Sequence, residues 1–179
     1  MRLASGRLLA ILVLSGIAVL VGIYGASFAR TTYLEQASAR GEVTLRLAVA
    51  ALRGHLSRYE ALPALIADNA DIRSLVMNPG DQRQRDWGNA YLEEINDLLE
   101  SSDIYVMMPN GETIIASNYR GPASFVGGNF NFRPYFQDAM AGERGRFFAL
   151  GTTSLKRGYY FSAPIEIEGV IRGVVVFKI

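Results

Sequence analysis

The segment from Asn129 to Tyr160 carries most of the side chains in this sequence that could bind a small anion. The cationic groups in it that could face a ligand are Arg133, Lys156 and Arg157, and Lys178 ends the last predicted strand. Adjacent hydroxyl side chains follow Gly151, namely Thr152, Thr153 and Ser154. A guanidinium group binds a carboxylate through two hydrogen bonds, and hydroxyl groups and backbone amides can complete its shell. With the nearby aromatic residues to exclude water, the pattern predicts an anion site.

A simpler interpretation of the same residues remains open from the sequence. Arg133 and Lys178 would be exposed charges at strand edges, and residues 151–154 would form a solvated turn. Pro134 adds one constraint, because a proline restricts the preceding Arg133 to an extended or turn backbone.

Catalytic and metal-binding patterns are missing from the sequence. There is no cysteine, which excludes disulfides, thiolate metal sites and a cysteine nucleophile. His55 is the only histidine, and Ser154 has no second histidine or paired base that would make it a nucleophile. Asp68, Asp71 and Asp81 are interpreted as helix-cap or loop residues. We therefore expect no catalytic residue, metal ion or cofactor in this chain.

The hydrophobic periodicity predicts the elements that position the candidate site. Leu45, Val49, Leu52, Leu56 and Tyr59 are spaced alternately four and three residues apart, which predicts a long helix with an apolar seam. That seam could pair with a second copy of the chain or pack on its own domain.

Further along the chain, short helices are predicted over Leu62–Ala70 and Asp71–Met77, and an amphipathic helix around Trp87–Leu98. The period then changes to two, which predicts strands at Ile104–Met108, Thr113–Ala116, Arg146–Leu150, Tyr159–Pro164 and Val170–Lys178. Hairpin turns are expected at Asn110-Gly111 and Glu168-Gly169. This order predicts an α+β fold, a five-stranded antiparallel sheet with helices on one face.

Residues 8–29 contain no charged side chain, and as a helix they would be roughly 33 Å long, enough to cross a bilayer. Arg2 and Arg7 precede this stretch, so the positive-inside rule places residues 1–7 in the cytoplasm and the rest of the chain outside. A cleaved signal peptide is the alternative, but its apolar region would be shorter. The formal charge of +1 implies no nucleic-acid partner.

Short motifs in the second half of the sequence occur in the order found in one known family. They are Ser117-Asn118 and the segments 125–129, 132–136, 139–142, 149–154, 157–160 and 173–178. Together they resemble the periplasmic sensor region of C4-dicarboxylate sensor histidine kinases, the DctB type, in the double-Cache (PAS-like) superfamily.

The resemblance implies a domain organisation and a function. It implies a signal anchor at 8–29, a long membrane-proximal helix at 30–62 and a membrane-distal Cache subdomain at 63–179. The chain would be an N-terminal fragment of a homodimeric inner-membrane kinase with a periplasmic sensor for succinate, fumarate or malate. The kinase portion, which would use ATP and magnesium and phosphorylate a response regulator controlling dicarboxylate transport, would be absent here.

The resemblance also implies roles for individual residues. Arg133 and Lys178 would hold the two carboxylates from opposite sides, with hydroxyl bonds from Thr152 and Ser154. The aromatic wall of the pocket would consist of Phe130, Phe132, Tyr135 and Tyr160.

Two alternative functions remain open. The chain could be a Cache input of a chemoreceptor, or a membrane-anchored dimerisation module with no small ligand.

Overall fold

The computed structural model describes residues 41–153 and 155–179, together with helical positions 14, 16–17, 20–22 and 24–25. The chain divides into two compact units, Met1–Arg53 and Gly54–Ile179. The predicted membrane span at residues 8–29 lies largely outside the described residues. Among the residues that are described, no helix has both the length and the apolar character needed to cross a membrane.

Helices occupy the N-terminal half of the described chain. Residues 41–60 are helical (α1), followed by α2 at Leu62–Ala67, α3 at Ala70–Met77 and α4 at Gln82–Leu99. Side chains before two of these helices accept hydrogen bonds from their first free amides: Asn69 caps α3, and Asp81 caps α4. The interpretation of Asp81 as a cap residue is thus confirmed.

Five antiparallel strands form the sheet that carries the candidate site. The strands are β1 at Asp103–Met107, β2 at Thr113–Ala116, β3 at Gly145–Leu150, β4 at Arg157–Ile167 and β5 at Val170–Lys178. Their order across the sheet is β2-β1-β5-β4-β3, so the last strand lies in the centre. The predicted strands and the antiparallel sheet are therefore confirmed.

The two faces of the sheet bury separate apolar clusters. Alternate residues of a strand point to opposite faces. Ile104, Val106 and Phe177 belong to the cluster beneath α2, α3 and α4. Tyr105 and Val176 belong to the cluster on the other face.

A fifth helix corrects the prediction that all helices lie on one face. The helix α5 spans Pro134–Met140, and its residues Tyr135, Phe136 and Ala139 are buried in the cluster on the face opposite α2–α4. The sequence patterns predict neither a helix nor a strand between Ala116 and Arg146. Its proline at the first helical position fits a short helix that begins there.

Candidate functional site

Arg133 immediately precedes α5 and faces the sheet. Its backbone is extended, with φ −78° and ψ 135°, as the following proline requires. The residue is only 9 % exposed. Its Nη2 donates hydrogen bonds to the carbonyl oxygen of Leu150 at 3.0 Å and to the hydroxyl of Thr152 at 3.3 Å. Arg133 is thus a buried cation, and the interpretation that it is an exposed strand-edge charge is wrong.

Buried tyrosines lie within electrostatic range of this guanidinium group. The hydroxyls of Tyr105 and Tyr135 are hydrogen-bonded at 2.7 Å. The rings of Tyr135 and Tyr160 are stacked, with centroids 5.0 Å apart. Aromatic walls with hydroxyl groups can enclose the carbon skeleton of a ligand and still hydrogen-bond its polar ends.

Burial changes the titration of these tyrosines. It raises the pKa of Tyr135 to about 12, against a smaller lowering by the hydrogen bond with Tyr105 and by the Arg133 charge. Burial likewise raises the pKa of Tyr105 well above its usual value, and that of Tyr160 to a lesser extent. At neutral pH the hydroxyls are therefore protonated and can donate hydrogen bonds to an anion.

A small cavity lies where these groups meet. Its lining residues are Tyr105, Phe125, Phe130, Arg133, Tyr135, Gly151, Thr152, Thr153 and Tyr160. The cavity volume is about 10 Å³, which is about the minimum for a single water molecule. An organic anion larger than water therefore needs the walls to move apart.

The loop between β3 and β4 forms the wall that includes the hydroxyl side chains. Its ends are joined by hydrogen bonds from the amide of Gly151 to the carbonyl of Lys156 and from the amide of Leu155 to the carbonyl of Gly151. Thr152 and Thr153 are exposed on their outer sides and border the cavity. Ser154 lies outside the described residues, so its predicted role stays a prediction.

Lys178 occupies the same sheet face but a different environment. It is 2 % exposed, and its Nζ donates a hydrogen bond to Oδ2 of Asp103 at 2.8 Å. The ammonium lies 5.7 Å from the centre of the Phe125 ring, which lines the cavity. Lys178 itself borders a neighbouring open groove with Asp103 and Lys156. Its interpretation as an exposed strand-edge charge is also wrong.

The structure brings together most of the predicted site residues. Arg133, Thr152, Phe130, Tyr135 and Tyr160 line one cavity, as set out above. Phe132 does not line it: this ring is 55 % exposed, and the Arg133 guanidinium lies 5.3 Å from its centre.

Sequence reasoning missed several residues of the site. Tyr105 shares a sheet face with Lys178, and alternation along the predicted β1 could have indicated that face. Phe125 begins one of the family motifs, but no role at the site was predicted for it. Asp103 was missed altogether, because its pairing with Lys178 depends on β1 lying next to β5, two strands far apart in sequence.

Known proteins are similar to this chain in sequence and in fold. The chain is 42% identical over 152 residues to the C4-dicarboxylate transport sensor protein DctB of Pseudomonas aeruginosa, and 33% identical over 152 residues to that of Rhizobium meliloti. Each match covers 85% of this chain. The sensor domain of the Vibrio cholerae histidine kinase DctB superposes with a TM-score of 0.70 and 36% identity, over 72% of this chain and 50% of that one.

The chain is a DctB-type sensor segment. It spans about a quarter of the length of the curated relatives it matches. No family model matches this DctB-type segment.

A more distant structure shares the fold of the DctB-type segment. The ligand-binding domain of a Campylobacter jejuni chemoreceptor has a TM-score of 0.60 at 14% identity, over 75% of this chain and 55% of that one. This likeness concerns the fold alone.

Proposed function

We propose that this chain senses a C4-dicarboxylate, such as succinate, fumarate or malate, as the input region of a two-component sensor histidine kinase that regulates dicarboxylate transport. The observation that carries the proposal is the buried Arg133 at a tyrosine-walled cavity in a DctB-type segment. A buried guanidinium held by neutral oxygen acceptors keeps its full positive charge for an incoming carboxylate.

In the proposed complex, Arg133 binds one carboxylate, and Thr152 and Ser154 add hydroxyl hydrogen bonds. Phe130, Tyr135 and Tyr160 enclose the carbon chain. Lys178 attracts the second carboxylate past the ring of Phe125, and Phe132 supports the guanidinium from its exposed side.

Binding requires the cavity to expand, because a dicarboxylate is several times larger than a water molecule. The hydrogen bonds from Arg133 to Leu150 and Thr152 join the guanidinium to the β3–β4 loop. Exchange of these bonds for ligand carboxylate bonds would displace the loop outward. The ligand would then bind one position of this loop better than the other. Such a difference in affinity between two states is what allows a ligand to shift a protein from one state to the other.

The remaining elements of the proposal follow the DctB-type organisation. Residues 8–29 anchor the chain in the bacterial inner membrane, with residues 1–7 in the cytoplasm and the sensor in the periplasm. The kinase portion, its ATP and magnesium, and the response regulator belong to the remainder of a homodimeric protein. The contribution of this chain is ligand recognition, with no catalytic step.

The proposal is tested by thermal unfolding of the purified 179-residue chain with separate additions of succinate, fumarate, malate, acetate and an amino acid. At a ligand concentration of a hundred times Kd, the folded state gains about 2.7 kcal/mol, which raises Tm by roughly 5–10 °C. We expect such a shift with the dicarboxylates only. A well-folded chain with no dicarboxylate shift contradicts the ligand assignment.

Arg133→Ala and Arg172→Ala form a matched pair of variants for the same experiment. Both remove one arginine, but Arg172 is exposed on β5 whereas Arg133 is buried at the cavity. Loss of a buried charge-assisted contact costs a few kcal/mol, so Arg133→Ala should weaken dicarboxylate binding about a hundredfold or more. Arg172→Ala should leave it unchanged.

The exposed seam of α1 favours a second role for the chain, dimerisation. Leu45, Val49 and Leu52 of the seam are exposed, whereas Leu56 and Tyr59 pack against the apolar cluster beneath α2–α4. A row of exposed apolar side chains at heptad spacing favours pairing with the same row of a second copy.

A further inference from the structure

The ion pair between Lys178 and Asp103 is the only described ion pair in which both side chains are largely buried. The lysine side chain is 2% exposed and the aspartate side chain 13%, with Nζ and Oδ2 2.8 Å apart. The two residues are also direct cross-strand partners, so the strand register holds them together. The ammonium that is predicted to attract a ligand carboxylate therefore already has a carboxylate of the protein beside it.

The Asp103 carboxylate also has an electrostatic effect on a residue of the cavity. Tyr160 lines the cavity and is the cross-strand neighbour of Lys178 on the other side. Its hydroxyl is within range of both charges: beyond the effect of burial, the Arg133 guanidinium lowers the pKa of Tyr160 and the Asp103 carboxylate raises it. A ligand bound beside Tyr160 would be repelled by Asp103 through the same poorly solvated space.

The balance of charge at the site follows from these groups. Arg133 and Lys178 are positive, and Asp103 is negative. Lys156 borders the outer groove but is exposed, so water screens it. The net charge of these buried groups is therefore +1. A monoanion would neutralise that charge, whereas a dianion would leave a net negative charge at the site.

We propose that Asp103 is a specificity-determining residue, an internal carboxylate that competes with the second carboxylate of the ligand for Lys178 and so limits the preference for dianions. This inference rests on the function proposed above. It predicts that removal of the Asp103 charge strengthens the binding of dicarboxylates selectively.

An orienting role for Asp103 makes the opposite prediction. If its carboxylate serves to hold the Lys178 ammonium in a productive position, then Asp103→Asn releases the lysine and weakens binding of the dianion. The sign of the change in affinity thus separates competition from orientation.

The test is titration calorimetry of the full chain and of Asp103→Asn with succinate and with its monoamide, succinamate. These ligands share the same carbon chain and differ by one charge. Because like charges close together in a poorly solvated site repel strongly, Asp103→Asn should bind succinate at least about tenfold more tightly, with succinamate changed less than about threefold. Weaker succinate binding, or an equal gain for both ligands, overturns the proposal.

A second pair of variants covers the case in which Asp103→Asn does not fold because the buried lysine has lost the Asp103 carboxylate. Lys178→Met leaves Asp103 as the unpaired charge, whereas Asp103→Asn combined with Lys178→Met leaves no charge in the pair. Competition predicts that the double variant binds succinate at least about tenfold more tightly than Lys178→Met, because a repelling carboxylate is removed. An unchanged affinity in the double variant contradicts the proposal.

Failure of this inference is distinguishable from failure of the proposed function. If the unaltered chain binds no dicarboxylate, and neither does Asp103→Asn, the dicarboxylate assignment is wrong and the inference falls with it. If the unaltered chain binds succinate and Asp103→Asn weakens that binding, the function stands and only the role of Asp103 is wrong.

Discussion

Tyr160 connects the two buried cations of the sensor segment. It stacks on Tyr135 at the cavity that Arg133 lines, and it pairs across the strands with Lys178. Because one β4 side chain contacts both environments, a shift of this strand would change both cation sites together.

Gly158 controls the position of Lys178 from the same strand. A Cβ atom at this position would lie 2.7 Å from the carbonyl oxygen of Ile179 and 3.2 Å from Cγ of Lys178. Gly158→Ala should therefore push Lys178 from its place and lower dicarboxylate affinity about tenfold, as measured by calorimetry. Gly80→Ala, where a Cβ would meet no atom within 4 Å, is the control. Equal affinities of the two variants would contradict this account.

The buried Tyr135 predicts a loss of stability in alkaline solution. Its folded-state pKa of about 12 exceeds the unfolded value of 10.0. The protonated Tyr135 therefore makes its full contribution to the free energy of unfolding below pH 10. That contribution, roughly 2–3 kcal/mol, is lost as the pH rises through the folded-state pKa.

Chemical denaturation at pH 9 and at pH 11.5 measures this loss. Tyr135→Phe cannot ionise at this position, so its free energy of unfolding should fall less than that of the unaltered chain. Tyr119→Phe, in the turn after β2, serves as the control. If Tyr135→Phe and the unaltered chain lose equal amounts, burial of Tyr135 does not control the alkaline transition.

The two cations and their counter-ion differ in how well sequence predicts them. Arg133 precedes a proline and lies within a dense run of aromatic and hydroxyl residues, and Lys178 ends a predicted strand. Local pattern therefore singled out both as candidates, but it could not show that they are buried. Asp103 could not be found in this way, because only the non-sequential order of the strands places β1 beside β5.

At the scale of elements, the strands were predictable and α5 was not. The strands are rich in β-branched and aromatic residues, and turns with Gly111 and Gly169 in the left-handed region follow two of them. The helix α5 has only 7 residues, about two turns, which is too short for a 3.6-residue period to show. Its position is fixed by burial of Tyr135, Phe136 and Ala139 against the sheet, which is tertiary information.

The attachment of α4 to β2 gives a prediction at this scale. The buried side chain of Asn89 accepts a hydrogen bond from the amide of Ala116 at 2.9 Å. Asn89→Leu leaves that amide without its acceptor and should lower the free energy of unfolding by about 1–3 kcal/mol. Denaturant unfolding measures the change, and Glu94→Leu on the exposed side of α4 is the control. A loss below that of the control would show that Asn89 does not stabilise the edge strand.

At the scale of the whole molecule, the apolar seam of α1 has a packed part and an exposed part. The predicted helix over the seam residues is present as α1. The sequence pattern could not show, however, that Leu56 and Tyr59 pack within the sensor unit while Leu52 is exposed. Periodicity identifies the apolar face of a helix and leaves its partner undetermined.

The exposed part of the seam predicts how the chain associates. Leu52→Asp places a charge in the proposed contact between copies and should convert the dimer to a monomer, as measured by light scattering after size exclusion. Leu65→Asp, at an exposed leucine of α2, is the matched control and should stay dimeric. A dimer that survives Leu52→Asp, or an unaltered chain that is monomeric, removes the seam as the dimer contact.

The aromatic residues of the two faces differ in a way that determines how ligand binding can be observed optically. The single tryptophan, Trp87, lies on α4 and stacks on Tyr91, on the face away from the cavity. The site face instead holds Tyr105, Tyr135 and Tyr160. Tryptophan fluorescence should therefore change little on binding, while near-ultraviolet circular dichroism and difference absorption in the tyrosine band should report it.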